Sequence, residues 1–359
     1  MAEAAAERCD VAIIGGGPVG ACLALALADV PLSIVLVERG ASPAAFRPVA
    51  LSYSSRLILE RLGVWSDLAL TPIRHVHVSQ AGRFGRTSIG TEDTGTPELG
   101  YVVEYAPLAA KLIERVRQRS IRVIAPSEVD ASLVVHAEGS SEEQRLGRDY
   151  DQQALVALVE CTPAADCTAY ERFTAEGPLA LLPLAGCYAV VWGCSVRTAD
   201  ALAGAGAAAF LAALQSAAGW RAGRFTALRS LGRAPLALRY RASRIALRAA
   251  YIGNAAQTLH PVAGQGLNLG LRDAWDLARS IRAQPAAAGS APMLERFART
   301  RRFDAAATLR VTDLLARMYV SGNPLVCATR GAAIAALDLL PPARRFFARR
   351  MTYGASALP

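Results

Sequence analysis

The sequence has no apolar run long enough to span a membrane. Its longest candidate, residues 11–30, is interrupted by four glycines and a proline, whereas a spanning helix needs roughly 18 uninterrupted apolar residues. Residues 1–10 are acidic and alanine-rich and lack the basic region of a secretory signal. We therefore expect a cytoplasmic protein. The chain also lacks an internal repeat.

Paired cysteines are missing as well. None of the seven cysteines forms a Cys-x-x-Cys pair, and those at 161–194 have no histidine at metal-ligand spacing. Disulfide frameworks and zinc sites depend on such regular spacing. We therefore expect reduced thiols and no metal site.

Basic residues exceed acidic ones, and the excess is unevenly spread. The net charge is +9, with arginines concentrated at 221–248 and again at 344–350 beside Phe346 and Phe347. One interpretation is solvated helix faces and loops. The other is a surface for peripheral contact with anionic lipid at the inner membrane face. No recognition motif accompanies the charge, so nucleic acid is not a predicted partner.

A glycine-rich turn follows the first predicted strand and opens the first predicted helix. Gly15 permits the tight turn, Gly17 lets the backbone approach a pyrophosphate, and Gly20 lets helix and strand pack closely. Glu38 ends the next predicted strand, and its carboxylate suits an adenosine ribose but repels a 2′-phosphate. With Arg39 beside it, this pattern predicts binding of FAD or NAD; the alternative is a purely structural turn.

A second glycine-rich segment, residues 253–270, lies between a predicted strand and a predicted helix. Gly264 and Gly266 allow main-chain amides to point into a cavity. A helix beginning near Leu267 adds partial positive charge, which would stabilise the negative charge of a reduced flavin. The segment therefore favours FAD over NAD.

This second segment resembles the FAD motif of the group A flavin monooxygenases, the para-hydroxybenzoate hydroxylase fold. Most of that family has an aspartate after Gly253 that contacts the ribityl chain; here it is Asn254. Residues 254–261 resemble the ubiquinone-biosynthesis branch, especially the polyprenyl-methoxyphenol hydroxylases. The likeness extends over most of residues 9–310 and includes segments 47–56, 100–104, 149–153, 169–174 and 177–183.

The resemblance implies an α/β fold with a Rossmann-like FAD-binding domain, an inserted mixed β-sheet substrate domain and a helical C-terminal region. The FAD-binding domain would comprise 1–70, 101–145 and 246–285. The substrate domain would comprise 71–100 and 146–245, and residues 286–359 would be helical.

The resemblance also implies the activity. NAD(P)H would reduce the FAD, which would react with O₂ to hydroxylate a polyprenylated phenol on the way to ubiquinone, beside other proteins of that pathway. Pro261 matches a family proline near substrate and flavin. Leu267 and Asn268 match positions whose backbone amides face the flavin. His260 is a candidate for steering a phenol proton, or else an ordinary loop residue.

A third family motif, Ala-Asp-Gly-x-x-Ser-x-x-Arg, is altered here. Glu138 replaces its aspartate and Glu142 its serine, and residues 122–132 leave little room for strands that the family has there. Two alternatives to a hydroxylase therefore stay open. One is an FAD-dependent reductase or dehydrogenase, and the other is a catalytically weakened flavin-binding accessory subunit.

Overall fold

The structure, a computed structural model, describes residues 7–40, 45–139, 145–259, 264–320 and 324–354. Its strands are β1 (Glu7–Ile14), β2 (Ile34–Val37), β3 (Pro48–Ser52), β4 (Thr71–Ile73), β5 (His75–Gln80), β6 (Arg86–Gly90), β7 (Gly100–Glu104), β8 (Arg122–Ile124), β9 (Val129–His136), β10 (Arg145–Thr162), β11 (Thr168–Phe173), β12 (Pro178–Leu184), β13 (Cys187–Ser195), β14 (Arg224–Tyr240), β15 (Ile245–Ala246), β16 (Ala249–Tyr251) and β17 (Gln257–Thr258). Its helices are α1 (Pro18–Leu27), α2 (Tyr53–Arg61), α3 (Thr91–Thr94), α4 (Tyr105–Arg117), α5 (Val196–Gly204), α6 (Ala207–Ala218), α7 (Gln265–Ala283), α8 (Ala291–Val320), α9 (Pro324–Leu339) and α10 (Pro341–Tyr353).

A largely parallel sheet carries the first glycine-rich turn. Its order is β15-β16-β9-β1-β2-β8, and β1 pairs in parallel with both β2 and β9. Strands such as β2 are apolar throughout because helices cover both faces of a parallel sheet. Helix α1 is buried along almost its whole length and packs against α4 and α7. This arrangement places the turn at the carboxyl end of β1.

A second, eight-stranded sheet has the order β17-β14-β10-β13-β12-β11-β5-β6. The sheet is mixed: β11 and β5 are parallel, whereas the other strand pairs of this sheet are antiparallel. One face packs under α5 and α6, with Trp192, Phe210 and Leu214 in its core. The opposite face is left for a cavity. These two sheets confirm the predicted α/β class with a mixed-sheet unit.

The arginine-rich segment 221–248 is mostly strand, so the expectation of helix faces and loops was wrong. Strand β14 occupies most of it and pairs along its length with β10, while β17 covers only its last two residues. Most of β14 is therefore a sheet edge, where Pro235 and charged side chains are tolerated. Arg229 pairs across the sheet with Glu160 at 2.6 Å.

Smaller differences concern connections. The alanine-rich stretch 199–218 forms two helices, α5 and α6, and Pro285–Ala287 form a short 3-10 turn before α8. Strand β4 joins a three-stranded sheet of order β3-β7-β4, although it lies in the predicted substrate piece 71–100. Strand β17 joins the large sheet from within the predicted FAD-binding piece 246–285.

Residues 125–128 alone connect β8 to β9, which confirms that no extra strands lie between them. The remainder of the described chain is helical from α7 to α10, as predicted. Among the described residues, no single helix is long and apolar enough to cross a membrane, and one bent pair, α9 with α10 at 100°, qualifies by length and composition alone.

Candidate functional site

The three glycines of the first turn have different environments. Gly15 has a φ of +114°, which a side chain would strain, and a Cβ there would lie 2.6 Å from the backbone of Ala137. A Cβ on Gly20 would collide with the carbonyl oxygen of Gly15. Gly17 is extended, with φ −66° and ψ 175°, and a Cβ would meet only the Tyr105 hydroxyl, at 3.3 Å. Gly17 therefore faces open space.

Glu38 lies beside this turn, at the end of β2. Its Oε2 is 3.2 Å from a guanidinium nitrogen of Arg117 on α4, and its backbone N–H donates to Ile124. The neighbouring Arg39 is exposed and lines the same cavity. The carboxylate is thus held at the sheet edge where a ribose hydroxyl could reach it.

The start of α7 forms the opposite side of the site. Gly264 is its N-cap in the left-handed conformation, with φ +60°, and no side chain caps this end. The amides of Gly266 and Leu267 lie in the first helical turn, where backbone N–H groups have no partner within the helix. A Cβ on Gly266 would meet nothing within 4 Å. This end therefore directs its backbone amides and the positive end of its dipole toward the cavity.

Asn268 clamps the start of α7 to β3 and α2. Its Oδ1 accepts hydrogen bonds from the Ser52 backbone at 2.8 Å and the Ser55 hydroxyl at 2.7 Å. Its Nδ2 donates to the carbonyls of Ala50 at 2.8 Å and Gly264 at 2.9 Å. The side chain is thereby used within the protein, where it fixes the start of α7.

The segment between β16 and α7 is held in place by a hydrogen bond to α7. Gly253 is buried with φ +58°, and its N–H donates to Asp273 at 3.1 Å. Asn254, the next residue, lines the cavity. Gly253 therefore shapes the turn, whereas Asn254 is placed to contact a ligand.

Glu138 lies at the end of β9, next to Gly15. Burial by itself would raise its pKa, but hydrogen bonding with His136 and with backbone amides lowers the pKa on balance. The His136 Nδ1 is 3.0 Å from the Glu138 Oε1, and the imidazole stacks on Tyr251. Glu138 therefore brings a negative charge to the cavity at neutral pH.

These groups surround one continuous cavity of about 1650 Å³. A pocket for one drug-sized ligand typically has roughly 300–1,000 Å³, so this cavity has room for more than one molecule. One part lies between the two helix starts. The other extends over the open face of the eight-stranded sheet and is bounded by α10.

Most of the predicted cofactor residues meet at this cavity. They are Gly15, Gly17, Glu38, Arg39, Glu138, Asn254, Gly264, Gly266, Leu267 and Asn268. Gly20 and Gly253 do not line it and act through packing. His260 and Pro261 lie outside the described residues.

Sequence reasoning assigned no role to three residues that the structure places here. Arg47 lies with its guanidinium 4.6 Å from the centre of the Tyr105 ring, and both line the cavity. Burial raises the pKa of Tyr105, although Arg47 opposes the rise. Arg117 pairs with Glu38. The sequence did carry one signal for Arg47, because it lies in segment 47–56, which resembles the family.

The residues present fit FAD. The starts of α1 and α7 both face the cavity, and neither has a side-chain cap. Two such ends suit a ligand with two anionic parts, a pyrophosphate and a reduced flavin ring. The open side of Gly17 leaves space that a Cβ would fill. Gly15, Gly17 and Glu38 would hold the adenosine diphosphate half, and the start of α7 the flavin half.

Comparisons with known proteins agree with this geometry. Residues 8–157 match the family model described as FAD binding domain. The ubiquinone hydroxylase UbiL of Rhodospirillum rubrum is 30% identical over 390 residues, covering 95% of this chain and 88% of that protein. The 3-demethoxyubiquinol 3-hydroxylase of Escherichia coli is 30% identical over 338 residues, covering 82% and 86%.

A solved structure shares the fold. The p-nitrophenol 4-monooxygenase of Pseudomonas putida superposes with a TM-score of 0.79 at 16% identity, covering 97% of this chain and 99% of that one. Fold and site together define an FAD-dependent monooxygenase of the aromatic-hydroxylase class. The chain belongs to the family of FAD-dependent monooxygenases that includes the ubiquinone-biosynthesis hydroxylases, with FAD as cofactor and NAD(P)H as co-substrate.

Proposed function

We propose that this enzyme hydroxylates the aromatic ring of a polyprenylated phenol in ubiquinone biosynthesis. The observation that carries the proposal is the continuity of the cavity, which joins a dinucleotide site to a long apolar surface. When bound, FAD supplies the redox chemistry, taking electrons from NAD(P)H and activating O₂. The relatives reported above are named as a ubiquinone hydroxylase and a 3-demethoxyubiquinol 3-hydroxylase, which supports the same substrate class here.

The chain's own part is to hold the ring and exclude water. The open face of the eight-stranded sheet supplies an apolar floor for a ring and its tail. Side chains on this floor include Val76, Val78, Ala169, Phe173, Ala180, Leu182 and Val191. Burying an isoprenoid tail against such a surface is favoured by roughly 25 cal/mol per Å² of apolar area.

The test is a product analysis with purified protein. We expect bound FAD in the absorption spectrum, NAD(P)H oxidation stimulated by a short-chain prenylated phenol, and a product heavier by one oxygen atom. Stimulated oxidation without oxygen insertion would favour the reductase alternative. Bound FAD without stimulated oxidation would favour the accessory-subunit alternative, which the short β8–β9 connection and Glu138 support.

We also propose that α10 docks the enzyme on an anionic membrane. One face of α10 lines the cavity with Phe347 and Met351, whereas Arg345, Phe346 and Arg349 are exposed on the other. The helix contains four arginines and no acidic residue. The side chains of Leu339 at 78% and Phe346 at 64% exposure add apolar surface. A lipid-tailed substrate could thus pass from the bilayer beside a helix that lines the cavity.

Liposome co-sedimentation tests this docking. Binding should require anionic lipid and fall with salt. The double variant Arg345→Ala, Arg349→Ala should bind roughly 30-fold more weakly, since each arginine near such a surface contributes about 1 kcal/mol. The matched variant Arg279→Ala, Arg299→Ala removes two exposed arginines from α7 and α8 and should bind like the parent. Equal binding to neutral vesicles at high salt would contradict the electrostatic docking.

A further inference from the structure

A second, smaller pocket of about 510 Å³ lies at the β5–β6 end of the eight-stranded sheet. Val76 and Val78 of β5 line the large cavity, whereas His75 and His77 of the same strand line this pocket. Successive side chains of a strand point to opposite faces of its sheet. The two histidines therefore lie on the face away from the apolar floor.

Neighbouring strands add polar side chains beside the histidines. His77 is opposite Ser88 on β6, and His75 is opposite Thr168 on β11. Arg86, two residues before Ser88, shares its face of β6. All five residues line the pocket. The sheet thus presents two imidazoles, two hydroxyls and one guanidinium to a single concave surface.

A second guanidinium comes from the turn between α6 and β14. Arg221 of this turn lines the pocket, and its backbone carbonyl accepts a hydrogen bond from the Tyr170 hydroxyl at 3.2 Å. This bond ties the turn to β11. Within the part of the chain that the structure describes, the side chains of Arg86 and Arg221 form no salt bridge or hydrogen bond. Both are exposed at the rim of the pocket.

Positive charge therefore accumulates around His77. Burial lowers the pKa of His77, and nearby positive charge lowers it further. The arginines responsible are Arg221, Arg86 and Arg172, whereas Asp338 on α9 has the opposite effect. Of the described residues that line the pocket, Asp338 is the only carboxylate. A concave surface with an excess of one charge concentrates ions of the opposite sign.

We propose that this pocket binds a phosphate group, with Arg86 and Arg221 as its main donors. The guanidinium is planar, and its fixed set of N–H donors matches the oxygens of a phosphate. The hydroxyls of Ser88 and Thr168 add further donors. No three potential metal ligands of the described residues come together as a group that could hold an ion, so the chemistry favours an anion over a metal. The proposal does not depend on the hydroxylase reaction, because the pocket opens on the other face of the sheet.

Two sources could supply the phosphate group, a soluble molecule or the headgroup of a lipid. Leu339 and Leu340 directly follow Asp338 and are exposed at 78% and 55%. The rim of the pocket therefore borders apolar surface that a bilayer would cover. The shared chemistry is the phosphate, and the source is decided by experiment.

The first measurement is a titration of the holoenzyme with inorganic phosphate, followed by the ring signals of its histidines in NMR spectra. The protein has only four histidines, and two of them line the pocket. Phosphate should shift the signals of His75 and His77, with sodium chloride at equal ionic strength as the reference. His136, which stacks on Tyr251 beside the parallel sheet, should not respond.

Charge variants locate the site. Arg86→Gln and Arg221→Gln should each weaken phosphate binding by about three- to tenfold, because solvent weakens a charge-assisted hydrogen bond at an exposed position. Asp338→Asn should instead strengthen binding, since it removes the charge that repels the anion. A merely structural role of these residues would not produce such an increase. Arg279→Gln on α7, another exposed arginine, is the matched control and should bind phosphate like the parent.

Vesicles distinguish the two sources. The double variant Arg86→Gln, Arg221→Gln is mixed with phosphatidylcholine vesicles that contain phosphatidylglycerol. Weaker vesicle binding together with lost phosphate binding would identify a lipid headgroup, and unchanged vesicle binding would identify a soluble phosphate. The proposal is overturned if phosphate binds the parent more weakly than about 10 mM, or if the double variant binds phosphate as the parent does.

Discussion

At the scale of single residues, conformation separates glycines that fold the turn from the glycine that admits the ligand. Gly15 needs its positive φ, and Gly20 needs its missing Cβ for packing. Gly17 adopts an extended conformation that any residue tolerates, and its open side faces the cavity. The sequence motif treats the three alike, whereas the structure gives each a different sensitivity to substitution.

We predict that Gly17→Val folds but does not retain FAD. The added side chain would occupy the space that a pyrophosphate needs, while the backbone is unstrained. Flavin content and circular dichroism of the purified variant measure the two properties separately. Gly20→Val is the contrasting variant and should fail to fold, because its side chain would collide with Gly15. A normal flavin content in Gly17→Val would show that this turn does not bind the cofactor.

Glu38→Ala should weaken FAD binding by about 1.5–3 kcal/mol, because charge-assisted hydrogen bonds to the ribose are lost. The structure supplies a control, since Arg117 pairs with Glu38 from an exposed position. Arg117→Ala removes the ion pair but leaves the acceptor, so its FAD dissociation constant should change much less. If Arg117→Ala weakened FAD binding as much as Glu38→Ala, the role of Glu38 would be the ion pair and not a hydrogen bond to the ribose.

The element scale shows how α7 is fixed. Asp273 on α7 is fully buried and accepts a hydrogen bond from Arg301 on α8 at 2.7 Å. Its other oxygen accepts from Gly253 and Gln257, both at 3.1 Å, and lies 3.2 Å from Arg244. One carboxylate therefore joins α7 to α8 and to the segment that precedes the flavin half of the site.

Asp273→Asn should destabilise the fold at neutral pH, toward the lower end of roughly 3–5 kcal/mol. Asp276 and Asp304 still pair with Arg301 in this variant. Burial would raise the pKa of Asp273, but Arg244 and Arg301 lower it on balance. Because the folded-state pKa is lowered, the ionised group stabilises the fold above the unfolded pKa and loses this effect as pH falls through the folded pKa.

Urea unfolding of parent and variant at several pH values measures this dependence. The difference in unfolding free energy should be constant near pH 7 and shrink below about pH 4. Glu295→Gln, an exposed acid on α8, is the control and should differ little from the parent throughout. If the difference in unfolding free energy stayed the same at acidic pH, the charge of Asp273 would not be its cause.

Elements with a clear pattern could be predicted from the sequence, and β14 could not. Apolar periodicity and glycine turns located β1, α1 and α7 to within a few residues. Strand β14 contains arginines, Gly232 and Pro235, which locally disfavour a strand. It forms because β10 pairs with it along its length, a tertiary cause that no local pattern records. The clamp by Asn268 was hidden for the same reason, since its partners are distant in sequence.

At the scale of the whole molecule, the cavity exists only because two sheets and α10 meet around it. The glycine motifs predicted the dinucleotide part of the cavity, since each motif is a short continuous stretch of the chain. The floor was not predicted, because each strand contributes only alternate residues and their neighbours are set by sheet order. Two features bear on how well the assembled site protects its chemistry: the short β8–β9 connection and Glu138.

Both features lie at the cavity boundary. Pro126 and Ser127 of the connection are exposed and line the cavity, so solvent reaches it there. Glu138 keeps its charge through hydrogen bonding and lines the cavity beside Gly15. Negative charge near a flavin opposes its conversion to an anion, and water access shortens the lifetime of reactive species. The first effect slows reduction of the flavin, and the second lowers the share of electrons that reaches the substrate.

We therefore predict incomplete coupling: fewer than one hydroxylated product per NAD(P)H consumed, with hydrogen peroxide accounting for the remainder. Product, peroxide and NAD(P)H are measured together with a prenylated phenol present. Glu138→Gln should raise the flavin reduction potential and speed reduction by NAD(P)H, because it removes the charge at nearly constant size. Glu114→Gln, at the exposed rim of the same cavity, should change neither. Tight coupling at an ordinary turnover rate in the parent enzyme would mean that the residues around the short connection shield the site despite it.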